Sequence, residues 1–308
     1  MAKIATRIAY GDALKELMKE DGDIVVLDAD LAGSTKSGEA RKVDPARHFD
    51  MGIQEGNMMS VAAGLAASGK NVFASTFAMF ATGRAYEQIR NSIGYPRLNV
   101  KVCASHAGVS VGEDGASHQC IEDINLMRAI PGMRVIVPCD YNEAKAAIKY
   151  IANKPGPFYV RLGRSGVDEV NGPDYEFEFG KGIVLREGDP ASKVAIIATG
   201  NLVQEALAAY EEMEVKPTVV NIHTIKPIDR ELIAELAKNN ETIITAEDHL
   251  TTGGLGSAVA EVMAEAGAPA RLIRLGLNDT FGQSGKPDEL YHYYGMDREA
   301  IRRTAEEA

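Results

Sequence analysis

Cysteine is scarce in this chain of 308 residues, and its three copies are scattered. Cys103, Cys120 and Cys139 are odd in number and lack the paired spacing of metal ligands, which argues against a disulfide framework and against zinc. Basic residues are outnumbered as well. The net charge of −11 leaves no surplus to neutralise a phosphate backbone, so no nucleic-acid partner is expected. No apolar run approaches the roughly 20 residues that cross a bilayer, so no membrane contact is expected. The opening "MAKIATRIAYGDALKELMKEDGD" lacks the basic-then-apolar layout of a secretion signal, which makes the cytoplasm the expected location. Two phosphate-binding signatures are also missing. There is no P-loop, and no G-D-G with a downstream asparagine of the kind that holds a magnesium diphosphate.

What the chain does have is alternation. Hydrophobic residues make up 45% and charged residues 25%, the balance of a globular protein long enough for two domains. Short β-branched runs at 23–30, 71–76, 99–105, 133–139 and 158–163 alternate with helical patterns such as "RIAYGDALKELMKE", "EGNMMSVAAGLAASG", "TGRAYEQIRNSI" and "YNEAKAAIKYIANK". After about residue 165 a stretch rich in Gly, Pro and Asp reads as a linker carrying a small hairpin. The alternation then restarts, with strands expected at 193–200, 217–222, 241–248 and 270–276. The expectation is an α/β chain of two doubly wound domains, residues 1–170 and 191–308, joined by a linker at 171–190.

In such sheets ligands gather at the carboxyl ends of the strands. That rule selects Asp28, Asp30 and Ser34 after the first strand and "SHAGVSVGEDG" after the third, with "ATGN" and "AEDH" at the corresponding places in the second domain. Glu55 opens an apolar, small-residue helix. It is either a helix-terminus carboxylate or a partly buried group with a raised pKa, as proton sharing requires. Phe77 and Phe80 share a helical face, as core residues or as a platform for a flat heteroaromatic ring. His106, Asp114 and His118 lie among glycines, where the backbone can approach a small polar ligand closely. A metal site and a merely solvated loop are the alternatives there. Arg7, Arg161 and Arg164 are candidate phosphate clamps. "GGLGSA" lacks both the spacing and the downstream acid of a dinucleotide fingerprint, so NAD is not expected.

Taken in order, "DADLAGS", "GIQEGNM", "STFAMF", "HAGVSVGEDGASHQ", "RLGRS" and "AEDHLTTGGLGSAV" give a chain that resembles the C-terminal half of transketolase. That half comprises a thiamine-diphosphate pyrimidine-binding domain and a transketolase C-terminal domain, as in enzymes split into two subunits. The resemblance implies that Glu55 shares a proton with N1′ of the aminopyrimidine, and that Phe77 and Phe80 wall the pyrimidine ring, with Asp30 structural or near the cofactor. It implies that His106, Asp114 and His118 contact sugar hydroxyls, His118 nearest the reacting end and therefore catalytic with Glu55. Arg7, Ser34 and Arg164 match positions that hold the sugar's distal phosphate.

Two departures from the family pattern stand out. Gly56 replaces a bulky polar residue, and a third aromatic is missing near Gly83, where Tyr86 could substitute from the next turn. The absent G-D-G motif implies that diphosphate and Mg2+ are held by a partner, an N-terminal transketolase subunit, in an α2β2 heterotetramer, and that this chain itself binds no metal. Ketol transfer from xylulose 5-phosphate to ribose 5-phosphate, in the pentose phosphate pathway, is the implied reaction. The alternatives are a β subunit of a 2-oxo-acid dehydrogenase E1 component, a half like deoxyxylulose-phosphate synthase, and a non-catalytic scaffold. The acidic-glycine stretch "AEDHLTTGGLGS" is expected to shape a subunit interface rather than to catalyse.

Overall fold

In the computed structural model, which describes residues 3–308, the strands form two sheets. Along the chain they are β1 (Ile24–Asp28), β2 (His48–Asp50), β3 (Asn71–Phe77), β4 (Val100–Ser105), β5 (Arg134–Ile136), β6 (Phe158–Arg161), β7 (Ile183–Arg186), β8 (Val194–Ala198), β9 (Thr218–Asn221), β10 (Thr224–Lys226), β11 (Thr242–Leu250) and β12 (Arg271–Leu277). The first sheet runs β10-β5-β6-β4-β3-β1-β2 and the second β12-β11-β8-β9-β7. All pairings are parallel except β10 on β5 and β7 on β9, which are antiparallel edges.

The β-branched runs become strands because both faces of each sheet are covered. Ile24, Val26 and Phe73 pack on one side of the first sheet, with the helices Thr6–Glu20 and Tyr141–Ala152. Val25, Leu27, Val72 and Ala74 point to the other side, as the period of two requires. There they join a cluster that also holds Ala195, Ile197, Val220 and Ile243 of the second sheet, so one apolar core serves both. Each large side chain fully buried there contributes about 1.5–3 kcal/mol of transfer free energy.

Several elements differ from the sequence reading. "TGRAYEQIRNSI" is not a plain α-helix: Phe80–Arg84 and Ile89–Gly94 are π-helical turns around a short α turn. The Ala85 N–H donates to the Phe80 carbonyl five residues back, at 3.3 Å. Such widened turns recur at functional sites because they re-aim side chains. The expected hairpin in the Gly/Pro/Asp-rich stretch does not form. Its single strand β7 pairs with β9 instead, so the second sheet begins inside the segment read as linker. The helices Asp123–Ala129, Pro287–Tyr293 and Arg298–Glu306 were not anticipated.

Candidate active site

The carboxyl ends of β1, β3 and β4 converge on one cluster of side chains. Glu55 is the first residue of the helix Glu55–Ala67, entered through a turn at Gly52 (φ +70°). Asp50 fixes that entry by accepting the N–H groups of Asp30 and Gly52, each at 3.0 Å. Ala62, Ala63 and Ala66 let this helix lie close to the sheet, and Glu55 is 1% exposed. Its carboxylate lies at the positive end of the helix. Arg84, a residue the sequence reading passed over, donates from Nη1 to Glu55 Oε2 at 2.9 Å while its side chain stays 51% exposed. Its guanidinium lies over the Phe80 ring, 4.5 Å from the centroid.

Phe80 continues the cluster. It stacks on Phe77 with centroids 5.9 Å apart, and His118 meets it edge-on at 5.4 Å. Phe77 stacks in turn on His106 at 3.8 Å. His106 takes φ +59°, a strained conformation for a residue with a Cβ, at the end of β4. Its Nδ1 lies 2.8 Å from Ser105 Oγ and its Nε2 3.5 Å from Arg7 Nη1. Because a guanidinium only donates, the Nε2 facing it accepts and Nδ1 carries the proton. Burial, then the nearby Arg7 and Arg164, pushes the His106 pKa down to about 3, so the ring is neutral.

Arg7 also donates to the Ser34 carbonyl at 2.6 Å, while its own Nε is buried without a partner among the described residues. Burial and Arg164 both lower the Arg7 pKa. Arg164 reaches Glu113 at 3.3 Å and the Val111 carbonyl. Two guanidinium groups thus lie near one another with one N–H unspent, a pairing that suits a tetrahedral anion.

Asp30 and Asp114 stand apart from this cluster. Both are exposed, and among the described residues neither side chain makes a hydrogen bond. Arg161 is not a phosphate clamp. It is buried, donates to Asp123 at 2.8 Å and to the Asp248 carbonyl at 2.8 Å, and ties the two halves of the chain together. Tyr86 packs on the shared core, and the place a side chain at Gly83 would take is filled by Met79, whose Cε lies 2.2 Å from a Cβ built there. Asp28, the other rim carboxylate, is buried and spent on Leu31 N, Thr35 Oγ1 and Ser37 Oγ.

In the second sheet, "AEDH" turns inward. Glu247, Asp248 and His249 are buried within the chain. Asp248 Oδ1 accepts the Val109 N–H at 2.8 Å, while Oδ2 accepts the Ser110 N–H at 3.3 Å and the Tyr291 hydroxyl at 3.1 Å. A Cβ on Gly108 (φ +79°) would lie 2.2 Å from Asp248 Oδ2, so this contact requires glycine.

Comparison with known proteins agrees along the whole chain. Residues 2–169 match the family model of the transketolase pyrimidine-binding domain, and residues 180–301 that of the transketolase C-terminal domain. A Methanocaldococcus jannaschii chain, provisionally described as a transketolase C-terminal section, is 51% identical over 300 residues, covering 96% of this chain and 93% of the relative. The 6-deoxy-6-sulfo-D-fructose transketolase subunit SqwH of Clostridium sp. (strain MSTE9) is 40% identical over 304 residues, covering 98% and 93%. A solved split-gene transketolase, described as an inactive β4 tetramer, superposes with a TM-score of 0.89 at 49% identity, covering 100% of this chain and 98% of that one. The chain therefore belongs to the transketolase family, whose cofactor is thiamine diphosphate, and it carries that family's pyrimidine-binding and C-terminal domains.

Proposed function

We propose that the chain is the pyrimidine-binding half of a two-subunit transketolase that moves a two-carbon ketol unit from a ketose phosphate to an aldose phosphate. Two copies would work with two of an N-terminal subunit that holds the diphosphate and its Mg2+. The observation that carries the reading is the buried Glu55 carboxylate beside the Phe77–Phe80–His118 wall. The site fits an aminopyrimidine on its own terms. A planar cation, the Arg84 guanidinium, already lies on the Phe80 face and donates to Glu55, as a protonated N1′ would.

When bound, thiamine diphosphate supplies the nucleophilic carbon and the electron sink for the two-carbon unit. Glu55 holds a proton at N1′, in a pocket that keeps water from the carboxylate. Phe77 and Phe80 fix the plane of the ring, and Arg84 turns outward into the solvent it already half occupies. His118 bonds the oxygens at the reacting end and passes protons there. Neutral His106, its Nδ1–H held by Ser105, turns Nε2 as an acceptor to a hydroxyl, and exposed Asp114 accepts from another. Arg7, Arg164 and the Ser34 segment take the distal anion, phosphate or sulfonate, and the relative named for a sulfosugar supports that class. Asp30 stays at the cofactor's edge. Xylulose 5-phosphate and ribose 5-phosphate, the pair of the pentose phosphate pathway in the cytoplasm, are the substrates to try first.

The test is formation of sedoheptulose 7-phosphate from that pair by the chain with its co-purified partner, thiamine diphosphate and Mg2+. Glu55→Ala should abolish product and cofactor uptake without unfolding the chain. Activity within about tenfold of wild type would remove Glu55 from its role.

A further inference from the structure

Glu247, Asp248 and His249 of the second sheet are buried, yet that sheet and the segment after it grip the His118 loop along its length. At the near end stands Asp248, holding the N–H groups of Val109 and Ser110. At the far end the segment 279–285, which follows β12, lies directly against the loop. Ser284 Oγ donates to the Glu113 carbonyl at 2.5 Å. Gln119, the residue after His118, is buried, and its Nε2 faces three carbonyls: Val109 at 3.2 Å, Gly112 at 3.1 Å and Gln283 at 2.9 Å. Three acceptors around one amide nitrogen fix which way the amide points, since the flipped form would set oxygen against oxygen.

Gly282 presses flat on this amide. A Cβ built there would lie 1.9 Å from Gln119 Oε1, so no side chain fits without moving the glutamine. Beside it, Phe281 is 79% exposed and shares a cavity of about 290 Å³ with Phe80, Arg84 and Ser117. The Tyr294 hydroxyl donates to the Phe281 carbonyl at 3.1 Å and anchors the segment to the helix Pro287–Tyr293 that follows it.

We propose that the segment 279–285 of the C-terminal half positions His118 for catalysis, with Gln119 as the coupling residue and Gly282 as the contact that sets its place. This rests on the reading of His118 as the group nearest the reacting carbons. Gln119, though its amide lines the same cavity, is a positioning residue in this reading. It acts by fixing the backbone one residue from His118, whose ring must meet Phe80 edge-on to face the pocket. Displacements of about 1 Å in such supporting shells cost up to a hundredfold in rate.

The experiment combines Gly282→Ala with His118→Ala in a double-mutant cycle on the chain with its co-purified partner. Gly282→Ala should lower kcat for ketol transfer by about ten- to a hundredfold, leave KM for the phosphorylated donor within about twofold, and cost nothing further once His118 is alanine. Ser284→Ala, at an exposed position that cannot unfold the chain, should show a smaller loss that vanishes in the same background. Histidine-labelled NMR of the free chain supplies an arm that needs neither cofactor nor sugar. Gly282→Ala should shift the His118 ring signal and leave those of His48, His223 and His292 in place. An equal loss of kcat in both backgrounds, or an unmoved His118 signal, overturns the proposal. A wild-type chain that transfers no ketol unit, yet shows the His118 shift, would instead overturn the assigned reaction and keep the positioning.

Discussion

At the carboxyl ends of its strands each sheet carries carboxylates, imidazole and glycines, and the two sets differ in how their hydrogen-bonding capacity is used. On the second sheet Glu247 accepts the N–H groups of Leu255 and Gly256 at 2.6 and 2.8 Å, Asp248 holds three donors, and Thr199 donates to the Ile222 carbonyl at 2.7 Å. His249 Nε2 lacks a partner among the described residues, but the ring is fully buried, and that burial pushes its pKa down to about 4. On the first sheet, Arg84 is half in solvent, His118 is half-buried, and the buried Arg7 Nε has no partner among the described residues. A shared topological position thus yields a joint in one case and a site in the other. Exposure separates the two: Arg84 and His118 reach the surface, whereas Glu247, Asp248 and His249 are buried.

The sharpest way to break this contrast is to exchange the consequences of mutation. Glu55→Gln should reduce ketol transfer about a thousandfold, near 4 kcal/mol, while thermal unfolding stays within a few degrees of wild type. Asp248→Ala should do the reverse in kind. It leaves two backbone N–H groups and a tyrosine hydroxyl without their acceptor, costing about 3 kcal/mol of stability and lowering Tm by roughly 5–10 °C in calorimetry. If Asp248→Ala left Tm unchanged, the second rim would not be a joint.

Arg7→Met should raise KM about tenfold for phosphorylated donors and leave that for an unphosphorylated ketose unchanged, as steady-state kinetics with both would show. The smallest effect concerns His106. Its pKa lies near 3, below its unfolded value of 6.5, so it stays neutral through the working range. Replacing it with Gln should change the height of the kcat/KM profile between pH 5 and 8 but not its shape. Folding favours the neutral ring, so its contribution to stability is present above pH 6.5 and is lost as pH falls towards 3. Acid titration of the His106→Gln chain should lack that component.

The strands were legible because β-branched runs bounded by Gly, Pro and Asp have few other uses in a buried parallel sheet. The residues that meet at Phe77 and Phe80 were legible through motif order, which periodicity alone left ambiguous. Arg84 was not. Nothing in "TGRAYEQ" marks one arginine as the partner of a carboxylate 29 residues earlier, and the π-helical turn that aims it has no sequence period of its own. Arg161 misled for the opposite reason. Its identity suits phosphate, and only burial against Asp123 reveals its structural use. Nothing in the sequence marks Gln119 or Gly282, because their meaning lies in a contact across 163 positions of chain. For the last two helices, signals were present in Pro287 at a first turn and in Asp297, whose side chain caps Ala300 N at 2.9 Å.

Strand β10 carries a consequence for inheritance. It leaves the second sheet's half of the chain to pair with β5, and the core behind it is common to both sheets. Recombination that treated the halves as interchangeable modules would strip β5 to a bare edge, open to pairing with other chains. It would also expose the shared core to water in both offspring. A lineage can therefore reassign the loops at the rim far more freely than it can exchange one sheet for another, and variation in what such proteins act on should accumulate in the loops while the two sheets descend together.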